Sequence, residues 1–391
     1  MGLATLETYG VTAERGFLCA YDASSVPLNG DLAEARGLAL RLPEILPSGT
    51  VRTFLDALTV VSLDQIAGLD EAQARMAMVH YSFLVQAYIW GAEAPASSLP
   101  RPLAVPIVAL ADRLGQQPLL QYSGYVLDNW GLLDPAKGVS LDNIYMIQKF
   151  AAGTDEAWFV LVHVAIEAKA GAALALFGPL IEAAASGDAA KADGLLGQIV
   201  AIWAEINALF DRMPEQCDPY IYFRRVRPYI HGWKDNPALG AGIVYRGVER
   251  FGDSPQAFRG QTGSQSSIVP SMDALLGVGH ASDPLRTYLD ELHIYRPVGH
   301  RRFIDDVRAE SDVRAFVTRA GHSGLTQAYN AAVQAVADFR SRHLEYAASY
   351  IHSQGRKSAG NDTEIGTGGT PFMKYLKKHR DETKANLLSL N

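Results

Sequence analysis

Apolar residues in this chain recur mostly at three- and four-residue steps, and the strict alternation of a half-buried strand is scarce. The pattern predicts a mainly α-helical protein. Its clearest instance is Gly324–Ser353, where Leu325, Tyr329, Ala332, Val336, Phe339, His343, Ala347 and Tyr350 fall on one stripe of a long helix. Similar spacing predicts helices over 31–46, 51–57 and 70–90 in the first part of the chain. Further helices are expected over 107–131, 141–151, 155–185 and 188–212, then over 218–230, 268–278, 283–293 and 298–319. Asp31 and Asp188 stand where a helix start favours a capping carboxylate. A last, basic helix is expected from Pro371 to about Leu387, with proline at a favoured first position.

Gly91–Pro106 is the stretch richest in Pro, Ala and Ser, and reads as a connection. A boundary shortly after it divides the chain into a small, mostly helical N-terminal domain, 1–117, and a large helical domain, 118–391. The segment 353–370, SQGRKSAGNDTEIGTGGT, has almost no apolar residues and is expected to be a mobile lid loop.

Composition narrows the function classes. With 391 residues, 48% of them apolar, the chain can bury a sizeable core. A net charge of −7 argues against a general nucleic-acid binder. Cys19 and Cys217 offer neither a disulfide framework nor a metal-binding spacing, which fits a reducing compartment. The N-terminal MGLATLETYGVTAERG lacks the apolar core of a secretory signal. The most apolar run, Ala157–Ala185, is interrupted by His163, Glu167, Lys169 and Pro179, so no membrane span is expected. These features describe a soluble, cytoplasmic protein.

Candidate chemistry starts at His343, inside the apolar stripe with Phe339 and Ala347 one turn to either side. Such an imidazole is either a satisfied core histidine or a ligand to something buried. Arg340 lies on nearly the same face, and a buried guanidinium needs an anion. A haem would satisfy both, with iron for the imidazole and a propionate for the guanidinium. In PYIYFRRVRPYIHGWKDNP, Arg224 and Arg225 read as solvated, whereas Arg227 among aromatics reads as a partly buried cation able to grip a carboxylate. FRGQTGSQSS is a glycine- and serine-rich loop without a nucleophile turn. GTGGT, Gly366–Thr370, precedes a helix start that attracts anions. His163 sits mid-helix in WFVLVHVAIEA and reads as core or as a second flank of a cofactor. His80 reads as packing; His280, His293, His300, His322, His352 and His379 show no close metal spacing and read as surface or capping groups.

RPYIHGWKDNPALGAGIVYRGV, SQSSIVPSMDALLG, GHRRF, FRSRHLEYAASYI and GTGGT occur in the order and spacing of the indoleamine 2,3-dioxygenases, which this chain resembles well over 118–391 and loosely before that. The resemblance implies a haem enzyme that inserts O2 across the indole C2–C3 bond of L-tryptophan, giving N-formylkynurenine in the kynurenine pathway of tryptophan catabolism. It implies haem b as cofactor, a monomer, and an electron donor to reduce the iron. His343 matches the iron ligand, Arg340 the partner of a haem propionate, and Asp273 the acid that holds that arginine. Arg227 matches the residue that binds the substrate carboxylate, assisted by Thr367. Tyr122, Phe159, Tyr222, Phe223, Gly232 and Gly263 match the lining of the distal pocket, Gly263 facing the cofactor as well.

Three positions depart from the vertebrate pattern. Tyr222 stands in place of a phenylalanine, Tyr125 in place of a cysteine on the substrate side, and His163 in place of a serine. The related tryptophan 2,3-dioxygenases carry a histidine at that last place, hydrogen-bonded to the indole N–H. His163 is therefore expected to orient the ring, to act as a base, or to ligate iron in the resting state. The departures also open an alternative substrate, a modified tryptophan or another indole of secondary metabolism. A haem or gas sensor would need an output element, and none is apparent in the sequence.

Overall fold

The structure, a computed structural model, describes residues 2–355, 366–367 and 372–390. It is mainly helical. The longer helices are α1 (Asp31–Leu40), α2 (Glu71–Trp90), α3 (Arg101–Leu114), α4 (Asp155–Leu174), α5 (Phe177–Ser186), α6 (Ala189–Asp211), α7 (Ile268–Leu276), α8 (Pro284–His293), α9 (Val298–Glu310), α10 (Val313–Ala320), α11 (Ser323–Ala347) and α12 (Phe372–Ala385). Two small strand pairs accompany them: Ser98–Leu99 parallel to Val244–Tyr245, and Trp130–Leu132 antiparallel to Ile144–Met146.

α11 is the axis of the larger part of the chain, packed against α6 and α12, while α4 packs against α6 as well. Aromatic rings weld the α6–α11 seam: Phe210 stacks on Phe339 at 4.7 Å, and Trp203 meets Phe339 edge-on at 5.8 Å. Asn207 donates across it to the Ala335 carbonyl (3.2 Å) and Tyr346 to that of Phe210 (3.0 Å). α4 is apolar on nearly every face because it is buried on nearly every face, with only short polar interruptions. By hydropathy alone Asp155–Ser186 is long and apolar enough to cross a bilayer. Most of the window that passes that test is instead packed inside the protein.

The predicted helices over 70–90, 188–212, 268–278 and 283–293 form within a few residues, with Asp70, Asp188 and Asp283 capping by accepting from backbone N–H groups. Several expectations are corrected: the helix over 31–46 ends at Leu40 and is capped by Gly30 rather than Asp31, that over 298–319 breaks between Glu310 and Val313, and 218–230 is a run of short α, π and 3-10 turns. The expected connection 91–106 already contains the start of α3, which carries Pro102 in its first turn and tolerates Pro106 inside. The helix expected over 107–131 ends at Leu114, where Gly115 turns left-handed (φ 61°), and the chain then runs through a π-turn, Ser123–Leu127, into a strand. The stretch 141–151 forms no helix but turns around one short strand, Ile144–Met146, which pairs with Trp130–Leu132 and presents alternate residues to the core. The helix expected over 155–185 breaks between Leu174 and Phe177, since the Pro179 ring cannot pass the carbonyl four residues earlier. The lid expected over 353–370 lies almost wholly outside the described residues.

Candidate functional site

Two helices and a loop build one site. α4 presents His163 and, one turn on, Glu167; α11 presents Phe339, Arg340 and His343; Gly263, Ser264 and Ser266 of the loop before α7 close the space beside them. A cavity of about 520 Å³ and a smaller lobe of about 150 Å³ share His163, Phe210, Gly263 and His343 as walls. The larger is within the range typical of small-molecule sites, about 300–1,000 Å³.

The two imidazoles are prepared differently. His163 Nδ1 lies 2.7 Å from the Phe159 carbonyl, which can only accept, so Nδ1 carries the proton and Nε2 keeps its lone pair. Burial lowers the His163 pKa, so the ring is neutral at neutral pH. His343 is held down to about 4 by burial and then by the neighbouring His163 and Arg340. No group among the described residues hydrogen-bonds the His343 ring. A neutral imidazole with its nitrogens unengaged is the form that binds a metal. Phe210 packs near both, its ring centre 6.1 Å from that of His163 and 6.4 Å from that of His343. Gly263 leaves the space over His343 open: a Cβ there would come to 3.9 Å from Cε1.

Beside His343, Arg340 grips Asp273 through two hydrogen bonds of 3.0 and 2.6 Å and also donates to Thr383. Burial pushes the Asp273 carboxyl up, but Arg340 and His280 outweigh it and hold the group well below the usual carboxylate range. His280 lies 3.3 Å from Asp273 and 2.8 Å from Glu382 through its two ring nitrogens. His280 and His379 line the cavity, and His300 is buried against Phe17, so their reading as surface or capping groups is corrected.

The roof is set by a buried polar chain. Tyr122 and Ser266 both donate to Glu167 Oε1, at 2.9 and 2.8 Å, and the Gln265 side chain joins Tyr122 N to the Gly260 carbonyl. Glu167 Oε2 is buried and has no hydrogen-bond partner among the described residues, and burial raises the carboxyl to about 7. Thr367 Oγ1 donates to the Gln261 carbonyl (2.6 Å), and Gly232 N donates to that of Thr367 (3.3 Å).

The structure thus brings His163, Tyr122, Gly263, Asp273, Arg340 and His343 to the larger cavity, and Phe159, Tyr222 and Thr367 to the lobe. Tyr125, Phe223, Arg227 and Gly232 line neither. Tyr125 is buried and donates to Glu156 (3.2 Å). Arg227 is fully buried, its guanidinium 5.5 Å from the Phe223 ring centre; Arg224 and Arg225 are exposed, as expected. Sequence reasoning missed Glu167, Phe210 and Arg296 as cavity residues. Glu167 was within reach, because a position four after His163 shares its helix face.

The cavity suits a flat, largely apolar cofactor with a metal centre and acidic edges: aromatic and aliphatic walls, a bare glycine, an unengaged neutral imidazole and an arginine at the side. Comparison with known proteins agrees. The family profile described as indoleamine 2,3-dioxygenase matches residues 5–386. The chain is similar to indoleamine 2,3-dioxygenase 1 of Rattus norvegicus (31% identical, covering 98% of this chain and 96% of the relative). It is similar also to indoleamine 2,3-dioxygenase 2 of Homo sapiens (29%; 98% and 96%) and to indoleamine 2,3-dioxygenase of Saccharomyces cerevisiae (32%; 98% and 94%). From residue 5 to residue 386, then, the chain belongs to the indoleamine 2,3-dioxygenase family and is a dioxygenase of the oxidoreductase class.

Proposed function

We propose that this protein is a haem-dependent dioxygenase that inserts O2 across the indole C2–C3 bond of L-tryptophan or a related indole, giving N-formylkynurenine from tryptophan. The observation that carries the reading is the pair of neutral imidazoles, His163 and His343, lining one cavity from two different helices. Haem, when bound, supplies the redox chemistry of O2, which protein side chains cannot. His343 would hold its iron, and Arg340, kept in place by Asp273, would face a propionate.

The remaining work belongs to the chain. Phe159 and Tyr222, ring centres 4.7 Å apart, form an aromatic wall that positions an indole and excludes water. His163 Nε2 accepts the indole N–H, which orients the ring. Thr367 closes the lobe. The part of Arg227 in holding the substrate carboxylate rests on the family resemblance.

The test is to load the protein with haem, reduce it without air, add L-tryptophan and then air, and read the product by mass spectrometry. A gain of two oxygen atoms is expected, and no gain, or a gain of one, would refute the reaction. In the same assay His163→Ala is expected to raise KM by roughly tenfold, the loss of one hydrogen bond of about 1.5 kcal/mol. A KM unchanged in that variant would remove the assignment of His163.

A second reading, a modified tryptophan or other indole as substrate, is favoured by Tyr222. Its hydroxyl has no hydrogen-bond partner among the described residues, yet the side chain is 6% exposed and lines the lobe. Comparing kcat/KM for L-tryptophan and ring-hydroxylated tryptophans separates the two readings.

A further inference from the structure

Four arginines line the larger cavity: Arg286, Arg296, Arg308 and Arg340. Three already have a carboxylate partner. Arg286 pairs with Asp290 at 2.8 Å, Arg308 with Asp305 at 3.0 Å, and Arg340 with Asp273 at 2.6 Å. Arg296 pairs with none among the described residues, although it is the most deeply buried of the four, at 3% exposed. Its neighbours are dipoles. Nε donates to the Ser266 carbonyl (3.2 Å), Nη2 to that of Ser264 (2.7 Å), and Nη1 to His293 Nδ1 (3.4 Å). Asp305 acts on it from a distance but is taken up by Arg308 and by His293 Nε2 at 3.1 Å.

A guanidinium has five N–H donors, and these contacts use three, leaving one on each terminal nitrogen. That is the pair of donors a carboxylate accepts side by side. Burying a cation without an anion is costly, and burial, with Arg308 nearby, draws Arg296 down to about 10. The Ser264 carbonyl that fixes it is one residue from Gly263, the residue over His343. The unpaired charge therefore stands beside the space where a cofactor held by His343 would lie, on the side of the 264–266 loop rather than of Asp273.

We propose that Arg296 is the seat of a carboxylate carried by the cofactor: the second haem propionate, alongside the one facing Arg340. This rests on the haem reading given above. It distributes the two acidic edges between an arginine that is neutralised in the empty protein and one that is not, so Arg296 gains more from cofactor uptake. It also makes haem loading fasten the roof, since the same guanidinium holds Ser264 and Ser266, and Ser266 in turn holds Glu167.

The test is a titration of cofactor-free protein with hemin and, separately, with its dimethyl ester, in which both propionates are capped, read by the visible absorption of the bound porphyrin. Wild type, Arg296→Met and Arg296→Lys are compared. Arg296→Met is expected to weaken hemin binding by about tenfold or more and to leave ester binding within about twofold of wild type. Arg296→Lys, which keeps the charge but not the fork, should lie between and guards against a folding defect in the methionine variant. Equal weakening toward hemin and ester would show a purely structural role and overturn the proposal, as would no weakening at all. A loss confined to the KM for L-tryptophan would reassign the cation to the substrate carboxylate and likewise overturn it. Wild-type protein that takes up neither porphyrin would refute the haem reading itself.

Discussion

Asp273→Ala is expected to destabilise the cofactor-free protein by about 3–5 kcal/mol, the usual cost of breaking a buried ion pair from one side. Asp273 Oδ1 and Oδ2 take two guanidinium hydrogens of Arg340, which is 8% exposed, and the variant would leave that cation with Thr383 as its hydrogen-bond partner. Asp273→Asn, which retains one acceptor, should cost less. The sign of the pH dependence follows from the depressed Asp273 pKa. A carboxyl held below its unfolded value, about 3.9, contributes its full stability above that pH and loses it as the pH falls below. The gap between wild type and Asp273→Ala in urea unfolding should therefore be widest near neutrality and shrink below roughly pH 4. A gap under about 1 kcal/mol at neutral pH would show that the pair is solvated and not a fixed support.

Gly260→Ala and Gly232→Ala are expected to damage the roof of the site directly. The two glycines lie backbone against backbone: a Cβ on Gly232 would fall 2.1 Å from Gly260 N, and one on Gly260 would fall 2.2 Å from Gly232 N and 2.6 Å from the Thr367 carbonyl. No side chain can swing away to make room, so the loops must part. Overpacking of this kind costs typically about 1–3 kcal/mol and occasionally more. The separation would also break the Gly232–Thr367 hydrogen bond and draw Thr367 off Gln261. KM for the substrate should rise along with the loss of stability, and unfolding curves that match wild type would contradict the packing. The family resemblance placed Gly232 in the lining of the pocket. The structure gives it an indirect part, as the spacer that lets residues 260–263 and 367 approach.

How much could be read beforehand depended on whether one helix carried the signal. His343 and Arg340 were legible because both sit on the apolar stripe of α11, and a helix face is a local property of spacing. The Asp273 partner, 67 residues away along the chain, could be placed only through the resemblance, since no periodicity links the two. Trp130–Leu132 and Ile144–Met146 were missed as strands because each is three residues long and acquires its conformation from its mate. Arg296 could not have been singled out from sequence. It differs from the other three cavity arginines in its depth and in having no carboxylate partner among the described residues, and both are settled by how the fold packs around it. Glu167 was read only as a charge interrupting an apolar run; it is also a wall of the cavity and the anchor for Tyr122 and Ser266.

The central claim is that His343 grips the iron of a haem in this cavity. Titrating wild type and His343→Ala with hemin, and recording the absorption and resonance Raman spectra after gel filtration, tests it most directly. One porphyrin per chain is expected, with a histidine–iron vibration in the ferrous wild type. In His343→Ala that vibration should be absent, and added imidazole should restore it. Wild-type protein that emerges colourless, or an alanine variant with the spectrum of wild type, would contradict it.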